Sequence, residues 1–343
     1  MAYKSSDTNV LNDNKTAKFS KIIVGVNHTT GSNAPPIIGN VSGYTSGGFA
    51  PPFSTYGYVN TIDKFPFATD GNASDVGDLF QNRGYVAGHS SSANGYTSGG
   101  FAPPIPGRSV VIDKFPFSSN ANASDVADLT QARNILVGQS SDVNGYASGG
   151  AVTADPLLPP AINTIDKFPF AADANATDVG DLTLAKYAAS GQSSDVNGYV
   201  SGGNTGSLII SNIDKFSFAS DANAADIGNI TQARYSAAGQ SSGQNGYTSG
   251  GAYLVSNPPI TYLNTIDKFP FSTDADASDV GDLITNIHYG AGTSSTVNGY
   301  AAGSNVNGAP ETTIEKFPIS SDTNSSDVGD LTLGRYGAAG QQV

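Results

Sequence analysis

The sequence predicts an all-β protein in which six similar units, each of four short strands, close into a ring. Three observations favour this fold class. One block of sequence recurs six times, each copy divides into four strand-like segments separated by turns, and no copy shows a helical period. A repeat of about 50 residues with four strands is typical of a β-propeller blade. We therefore expect residues 36–343 to form a six-bladed β-propeller.

Three short motifs mark the repeat. The tetrapeptide Ile-Asp-Lys-Phe, replaced once by Ile-Glu-Lys-Phe, begins at Ile62, Ile112, Ile165, Ile213, Ile266 and Ile314. A Gly-Tyr step before two glycines, or before Gly-Ser in the last copy, has its tyrosine at Tyr44, Tyr96, Tyr146, Tyr199, Tyr247 and Tyr300. An Asp-Val or Asp-Ile pair has its aspartate at Asp75, Asp125, Asp178, Asp226, Asp279 and Asp327. Chance does not repeat a block of this complexity, so the copies share one structure.

The third copy shows the expected strands. Residues 134–139 and 145–150 form the first two strands around an Asn-Gly turn, residues 163–170 form the third, and residues 179–183 form the fourth. The alternation in the third strand is imperfect, which indicates a bulge near Pro169.

The two ends of the repeat region hold complementary parts of one blade. Residues 335–343 supply a first strand with no second strand after it, whereas residues 42–48 supply a second strand with no first strand before it. A solenoid would instead need distinct capping units at both ends. We therefore expect the terminal strands to pair and close the ring.

Composition excludes several classes of function. The chain of 343 residues has no cysteine and no tryptophan, so disulfides, thiolate nucleophiles, zinc ribbons and iron–sulfur clusters are excluded. Lys and Arg number 16 against 29 Asp and Glu, a net charge of −13, which argues against a nucleic-acid surface. No apolar run approaches the roughly 18 residues of a membrane-spanning helix, and the first residues lack the apolar run of a conventional signal peptide.

The repeat also carries a resemblance. The glycine pair after a tyrosine, the next strand and a Leu-x-x-x-Arg step, as in Leu129 to Arg133, resemble the kelch repeat over about residues 36–343. The kelch tryptophan is absent from every copy, so the resemblance implies a divergent, kelch-like blade. The sequence pattern IDKFPF…DANASDVGDL…AGQSSxxNGYxSGG resembles that of repeat proteins of tailed bacteriophages. That resemblance implies a virion structural protein: a tail fibre, a tail accessory or a capsid decoration.

Residues that recur in the blades are expected to serve the fold. Glycines such as Gly149 and Gly150 let the chain leave the second strand with a positive φ. Phe168 and Phe170 are expected to fill the space between blades. Arg133 is expected to bind backbone carbonyls or a neighbouring aspartate such as Asp166.

The turn before the fourth strand alternates oxygen-bearing side chains, a pattern that can wrap a calcium ion. The candidate ligands are Asp70, Asn72, Asp75, Asp173, Asn175, Asp178, Asp274, Asp276, Asp279, Asp322, Asn324 and Asp327. The match is partial, because Asn120 and Ala225 interrupt it and a later bidentate glutamate is absent. Asx turns explain the same residues without metal, so both interpretations stay open. No other cofactor is expected.

No catalytic constellation is recognisable. His28, His89 and His288 lie in unrelated contexts; His89 stands where another copy has Gln139, and we align His288 with Arg133. Kelch-class oxidases need a cysteine-modified tyrosine, and sialidase-type propellers carry Asp-box turns with a tryptophan. This chain has neither cysteine nor tryptophan, so we expect a protein that is not an enzyme.

The loops between the second and third strands differ most between copies, and several hold apolar, proline-rich inserts. Apolar loop residues are expected to contact a partner, and in a propeller these loops share one face. The expected binding residues are Phe49, Pro51, Pro52, Phe53, Phe101, Pro103, Pro104, Ile105, Leu157, Leu158, Tyr253 and Tyr262. The alternative is that the loops fold back on their own blades.

Residues 1–35 lie outside the repeat. The first 30 residues hold four lysines and two aspartates, so this segment carries +2 and the remainder −15. Residues 9–25 resemble the short β motifs that begin phage fibre and baseplate proteins. We expect an arm that docks on a neighbouring virion subunit through Lys15, Lys18, Phe19 and Lys21, with a frayed terminus as the alternative.

These features favour a non-enzymatic virion protein of a tailed phage, multimeric within an extracellular particle. It would display the propeller for host-surface attachment or assembly, with other virion proteins and a surface glycan or protein as partners. Nucleic-acid binding and membrane insertion are not expected. One alternative is a cellular or secreted propeller scaffold that binds protein or glycan, and another is a calcium-dependent, lectin-like module.

Overall fold

The computed structural model describes residues 39–51, 57–102, 107–152, 160–254 and 260–343. Within these ranges the regular structure is entirely β-strand, and no helix is present that could cross a membrane. Six four-stranded antiparallel sheets form blades around a central axis, which confirms the predicted six-bladed propeller. The predicted arm, residues 1–35, lies outside the described ranges.

The strands are numbered along the chain and assigned to blades 1 to 6. Blade 1 holds β1 (Ser42–Ser46), β2 (Thr61–Pro66) and β3 (Ser74–Asp78); blade 2 holds β4 (Ala87–Ser90), β5 (Asn94–Ser98), β6 (Val111–Pro116) and β7 (Ser124–Asp128). Blade 3 holds β8 (Val137–Ser140), β9 (Asn144–Ser148), β10 (Thr164–Pro169) and β11 (Thr177–Asp181); blade 4 holds β12 (Ser190–Ser193), β13 (Asn197–Ser201), β14 (Asn212–Ser217) and β15 (Ala225–Asn229). Blade 5 holds β16 (Ala238–Ser241), β17 (Asn245–Ser249), β20 (Thr265–Pro270) and β21 (Ser278–Asp282), with a short hairpin of β18 (Ala252–Leu254) and β19 (Ile260–Tyr262) in its loop. Blade 6 holds β22 (Ala291–Ser294), β23 (Asn298–Val306), β24 (Ala309–Pro318) and β25 (Ser326–Asp330), and β26 (Ala339–Gln342) returns to blade 1.

The ring closes through the ends of the repeat region, as the sequence predicts. Strand β26 pairs antiparallel with β1, with Tyr44 opposite Gln341 and Ser46 opposite Ala339. Blade 1 is therefore built from its first strand at the end of the repeat region and its other three strands at the beginning. This pairing removes two free sheet edges, because each would otherwise expose unpaired backbone groups.

The Gly-Tyr motif reflects packing inside each blade. Gly145 lies opposite Phe168 across the β9–β10 pair, and a Cβ on Gly145 would lie 2.3 Å from the Phe168 ring. Tyr96 of the preceding blade contacts Phe168 at 5.7 Å and stacks on Phe170 at 4.8 Å between ring centroids. The phenylalanines therefore fill the space between blades, which confirms that prediction.

Glycines also set how closely the blades approach the axis. The first strand of every blade carries one glycine at the same position, and a Cβ there would lie 2.1 to 2.4 Å from the carbonyl oxygen of the preceding blade's glycine. These residues are Gly88, Gly138, Gly191, Gly239, Gly292 and Gly340. No other residue type fits, because real Cβ atoms do not come this close to a backbone oxygen.

A closed ring of backbone hydrogen bonds surrounds the axis where the first strands begin. Each residue just before the first strand donates its N–H to the carbonyl of the corresponding residue in the preceding blade, at 2.6 to 2.9 Å. The members are Tyr85, Ile135, Ala188, Ser236, Tyr289 and Gly337. The five that are not glycine have φ between 54° and 60°. That conformation costs about 1 kcal/mol or more for each L-residue, and the ring bonds offset it.

A second ring lies where the first strands end. The N–H groups of Ser90, Ser140, Ser193 and Ser241 each donate to the serine Oγ of the next blade, at 2.8 to 3.0 Å. Ser294 and Gln342 complete the circle through Gln342 Oε1 and Ser90 Oγ. The two rings run in opposite directions around the axis, so each blade is held to both neighbours at both ends.

A buried ion pair joins most neighbouring blades. Arg133 precedes blade 3, and its guanidinium binds Asp166 of β10 at 3.0 Å and the carbonyl of Ala147 at 2.9 Å. The equivalent pairs are Arg83–Asp113, Lys186–Asp214, Arg234–Asp267 and Arg335–Asp63, each almost completely buried. The predicted role of Arg133 is therefore confirmed.

Three local predictions need correction. The first strand begins three residues later than expected, at Val137, and ends at Ser140. The bulge lies at the other end of the third strand, between Ile165 and Asp166, and not near Pro169. The fourth strand begins two residues earlier than expected, at Thr177, and Val179 is the extra residue, because Asp166 pairs with Asp178 and Ile165 with Gly180. The bulge occurs there because Gly180 packs on the carbonyl of Ala222 in the next blade, with room for no side chain.

Candidate functional site

One face of the propeller, here called the loop face, carries the loops from second to third strands and the connections that lead from each blade into the next. Gly149 and Gly150 start the loop of blade 3 with φ of 61° and 110°, which confirms the predicted role of this glycine pair. The opposite face, here called the hairpin face, carries the turns between first and second strands.

Phe49 and Phe101, two predicted binding residues, pack on the loop face. Phe49 contacts Tyr58 at 5.1 Å and Tyr336 at 5.2 Å between ring centroids. Phe101 stacks on Tyr58 at 5.5 Å, with the Arg108 guanidinium 5.8 Å from its ring. Both phenylalanines are half-buried, so these loop aromatics fold back on the blades and still present part of their surface to solvent.

The remaining predicted residues divide into two groups. Pro51 is exposed, whereas Tyr253 and Tyr262 are half-buried on the β18–β19 hairpin. Outside the described ranges lie Pro52, Phe53, Pro103, Pro104, Ile105, Leu157 and Leu158, and also the arm residues Lys15, Lys18, Phe19 and Lys21.

The loop face carries a continuous chain of ring contacts, here called the aromatic belt. Successive centroids lie 4.4 to 6.1 Å apart. In order, the belt consists of Phe101, Tyr58, Phe49, Tyr336, Tyr85, Tyr289 and His288, and then Tyr262 and Tyr235, which both contact His288. Contacts of this kind hold the rings in fixed orientations.

The belt makes the mouth of the central channel asymmetric. Tyr85 and Tyr289 lie on one side of the loop-face mouth, 5.1 Å apart. The corresponding positions on the other side are Ile135, Ala188 and Ser236. The channel itself has a cavity of about 170 Å³ lined by the first strands of all six blades. The aromatic side of the mouth therefore lies at the connections into blades 6, 1 and 2.

Five of the belt tyrosines are neutral phenols at physiological pH. Burial raises the pKa of Tyr58 and of Tyr289 to about 12, and burial also raises the pKa of Tyr85, Tyr235 and Tyr336. Their hydroxyl groups can donate and accept hydrogen bonds. The belt therefore combines apolar ring surface with neutral polar groups.

His288 occupies a different position from the one predicted. The carbonyl that accepts the N–H of Gly150 belongs to Lys186 in blade 3, and the equivalent carbonyl for Gly251 in blade 5 belongs to Ile287. Ile287 therefore replaces the arginine of the other junctions, and His288 lies one residue further along. The alignment failed because this copy has no basic residue at the junction.

His89 occupies the position that is glutamine in another copy, as predicted. It lies opposite Tyr96 in blade 2, as Gln139 lies opposite Tyr146 in blade 3. Its ring nitrogens contact the Gln139 carbonyl at 3.2 Å and Ser98 Oγ at 2.8 Å. Burial lowers the pKa of His89 to about 4, so the imidazole is neutral at physiological pH and shut off from solvent.

The turns proposed as calcium ligands join neighbouring blades. Asp173 of blade 3 binds Lys114 of blade 2, and Asn175 Oδ1 accepts the N–H of Asp128 at 3.0 Å. Asp178 Oδ1 accepts the N–H of Gly180 in an Asx turn. The oxygens proposed as metal ligands thus face protein donors. Within the described ranges no group of three or more metal-binding side chains is assembled.

The same rim contacts recur around the ring, with one exception. Lys167–Asp221, Lys215–Asp274, Lys268–Asp322 and Lys316–Asp70 repeat the pair, and Asn72, Asn122, Asn223, Asp276 and Asn324 repeat the amide contact. Lys64 of blade 1 instead lies 5.5 Å from the Tyr44 ring, because the next blade has Asn120 in place of aspartate.

Sequence reasoning found Tyr262 but missed the other tyrosines of the belt. Tyr58, Tyr85, Tyr289 and Tyr336 are not in the proline-rich inserts, and three of them lie in the connections before first strands. The available signal was the variation at those positions, since neighbouring residues repeat from copy to copy whereas Tyr85, Ile135 and Ala188 do not.

Comparison with known proteins supports the fold alone. No protein-family description matches the chain, and no curated protein sequence matches it. A solved structure titled "Structure of YjhT" is similar, with a TM-score of 0.62 and 10% sequence identity, over 80% of this chain and 93% of that one. At this identity the similarity extends to the propeller architecture, which the six-bladed ring described above shares.

Proposed function

We propose that the protein is a non-enzymatic virion component of a tailed phage that presents its loop face to a surface glycan or protein. The aromatic belt is the observation that carries the binding role, because its rings are mostly half-buried and lie together at one side of the channel mouth. Partly exposed aromatic rings pack well on the apolar faces of sugars and on protein side chains. The virion location rests on the resemblance of the repeat to phage proteins.

The distribution of residue types supports this assignment. Repeated charged residues such as Arg133, Asp166 and Lys167 are used in contacts between blades. Residues of the loop face differ from copy to copy, as Phe49, Ala151 and Asn204 do at equivalent bridges. A ring of equal blades needs equal contacts for its fold, whereas a binding site breaks that symmetry.

The titratable groups support a role without catalysis. A general base must reach a substrate proton, but His89 is buried between Ser98 and Gln139. The inner carboxylates are committed to contacts within the fold, as Asp166 is to Arg133 and Glu315 is to the N–H groups of Ile284 and Thr285.

Electron microscopy with an antibody against the chain tests the virion location. We expect immunogold label on the tails or capsids of the phage whose genome encodes the protein. Label confined to cells, with none on purified particles, would favour the cellular or secreted scaffold instead.

An adsorption assay with the purified, full-length chain tests the binding role. We expect Tyr58→Ala to reduce adsorption to host cells, because Tyr58 holds Phe49 and Phe101 in the belt. Leu208→Ala is the matched control, since Leu208 is exposed on the loop face of blade 4, outside the belt. Equal adsorption by both variants and the wild type would contradict a role for the belt.

The arm is proposed as the attachment to other virion proteins. Replacing Lys15, Lys18 and Lys21 by glutamate in the full-length chain should lower its incorporation into particles and leave the melting temperature unchanged. Normal incorporation would argue against an electrostatic docking role.

A chelator tests the lectin-like alternative. Since a bound ion stabilises only the folded state, excess EDTA should lower the melting temperature if calcium occupies the rim turns. We expect no change, because Asp173 and Asn175 already bind Lys114 and a backbone N–H.

A further inference from the structure

The imidazole of His288 is a buried polar group within the aromatic belt. Its side chain lies 4.4 Å from the Tyr289 ring, 5.3 Å from Tyr262 and 5.4 Å from Tyr235. The residue is only 7% exposed, and no described residue bonds Nδ1 or Nε2 within hydrogen-bonding geometry, although the Asn305 backbone approaches the ring. A buried imidazole in an aromatic enclosure is therefore unsatisfied on both nitrogens.

A second unsatisfied group lies beside it. Asn305 on β23 donates its backbone N–H to the His288 carbonyl at 2.9 Å, so the two residues are neighbours. The Asn305 side-chain oxygen is buried and also lacks a partner. Two polar side chains next to each other thus have unused hydrogen-bonding capacity at the same point of the belt.

The fold does not require this arrangement. A buried polar atom without a partner costs about 1–3 kcal/mol of stability. Phenylalanine would fill a similar space between three aromatic rings without that cost, and the same position before a first strand is Gly84, Tyr187 or Tyr336 in other blades. Stability alone therefore gives no reason for a histidine here.

We propose that His288 and Asn305 form the polar floor of a site for a neutral saccharide unit, walled by Tyr262 and Tyr289. This inference rests on the proposed binding function and specifies its ligand. Sugar hydroxyls can both donate and accept, and they would satisfy the imidazole and the Asn305 carbonyl oxygen together. The flanking rings would pack on the C–H faces of the sugar.

The charge state of His288 fits a neutral ligand. Burial lowers the pKa of His288 to about 4, so at physiological pH the ring has one N–H donor and one acceptor nitrogen. The site therefore offers no charged imidazole to pair with an anionic ligand.

A glycan array with the full-length protein tests the site. The array holds glucose-, galactose-, mannose- and N-acetylglucosamine-terminated glycans, and the variants are His288→Phe, His288→Gln and the control Tyr187→Phe. We expect wild type and control to bind one glycan class equally and His288→Phe to bind it at least about tenfold more weakly, the value of one hydrogen bond. His288→Gln, which keeps a donor and an acceptor, should recover part of the affinity.

Thermal melting provides a second measurement that a packing role would not reproduce. His288→Phe should raise the melting temperature because it removes two unsatisfied buried nitrogens, so the variant gains stability while it loses binding. A lower melting temperature for His288→Phe would overturn the inference.

The outcomes separate this inference from the proposed function. Equal glycan binding by wild type and His288→Phe would overturn the role of His288 and leave a glycan-binding loop face in place. An array without any wild-type signal, together with normal adsorption to host cells, would overturn the saccharide and favour a protein receptor. Failure to adsorb would remove the proposed binding function itself.

Discussion

The junction between blades 2 and 3 and the junction between blades 5 and 6 solve the same packing problem differently. In the first, Asp166 faces Arg133, and the carboxylate also accepts the N–H and hydroxyl of Thr130, at 2.9 and 2.7 Å. In the second, Ile287 replaces the arginine, and the longer Glu315 replaces the aspartate.

Glu315 is completely buried, and no cation among the described residues pairs with it. It accepts the N–H groups of Ile284 and Thr285 at 2.7 and 3.0 Å, the Thr285 hydroxyl, and the Ser325 hydroxyl at 2.6 Å. In both junctions the carboxylate accepts backbone N–H groups of the segment that leads into its blade. The difference shows that additional hydrogen-bond donors can replace the cation.

The largest expected effect comes from removing the cation where the carboxylate depends on it. Arg133→Leu should lower the free energy of unfolding by about 3–5 kcal/mol, since it leaves Asp166 buried with only Thr130 as donor. Chemical denaturation measures the loss, and Ile287→Leu is the matched control, expected to cost less than about 1.5 kcal/mol. A loss of similar size in both variants would show that the cation does not matter to the junction.

The first strands of blades 2 and 3 also differ from each other. His89 in β4 occupies the position that Gln139 occupies in β8. The pKa of His89 falls from its ordinary 6.5 to about 4 in the folded protein, so the unfolded chain binds its proton first on acidification. The contribution of neutral His89 to the free energy of unfolding is therefore fully present above pH 6.5. It is lost as the pH falls to 4, and the loss is roughly 3 kcal/mol at most.

His89→Gln should remove that part of the acid sensitivity. The new side chain could donate to the Tyr146 carbonyl, as Gln139 donates to Tyr199 at 3.2 Å. The measurement is the free energy of unfolding between pH 7 and pH 4 for variant and wild type. Parallel curves would contradict the assignment.

The two junction types can be interconverted to test whether their residues act as pairs. Ile287→Arg and Glu315→Asp should each destabilise the protein, the first by overpacking and the second by losing donors that the shorter side chain cannot reach. The double variant restores the arginine–aspartate pair and should recover about 1–3 kcal/mol relative to the sum of the single changes. Additive losses in the double-mutant cycle would mean that the two positions are independent.

The smallest effect is expected at the rim. Asn120→Asp would give Lys64 the partner that the other five rim lysines have, and should add less than about 1 kcal/mol, because this pair is exposed to solvent. High salt should remove the gain. A gain that persists in high salt would point to the hydrogen bonds of the turn and not to charge.

Much of the ring was predictable because six copies repeat its requirements. The blade number, the closure, the phenylalanines between blades and the Arg133–Asp166 contact all followed from motifs that recur. The turn at Asp173 was only half understood, because a sequence shows which oxygens are close along the chain but not that Lys114 approaches from the next blade.

Backbone hydrogen bonds and residues found in a single copy of the repeat were not predicted from the sequence. The ring of hydrogen bonds before the first strands includes Tyr85, Ile135 and Ser236, and none of these residue types favours a positive φ. His288 was misplaced because no arginine marks its junction; the change from aspartate to Glu315 was the signal that this junction differs. The belt forms between unlike blades, so no repeat could reveal it.

Closure by β26 and β1 has a consequence for biosynthesis. Until Gln341 has left the ribosome, Tyr44 and its neighbours on β1 have β2 on one side and no strand on the other. The missing pairing links residues almost a full chain length apart. Contacts of such separation form slowly, so the open edge of β1 persists during folding. At high concentration the β26 of another copy could fill it, and domain-swapped chains are the characteristic misassembly to expect of this architecture.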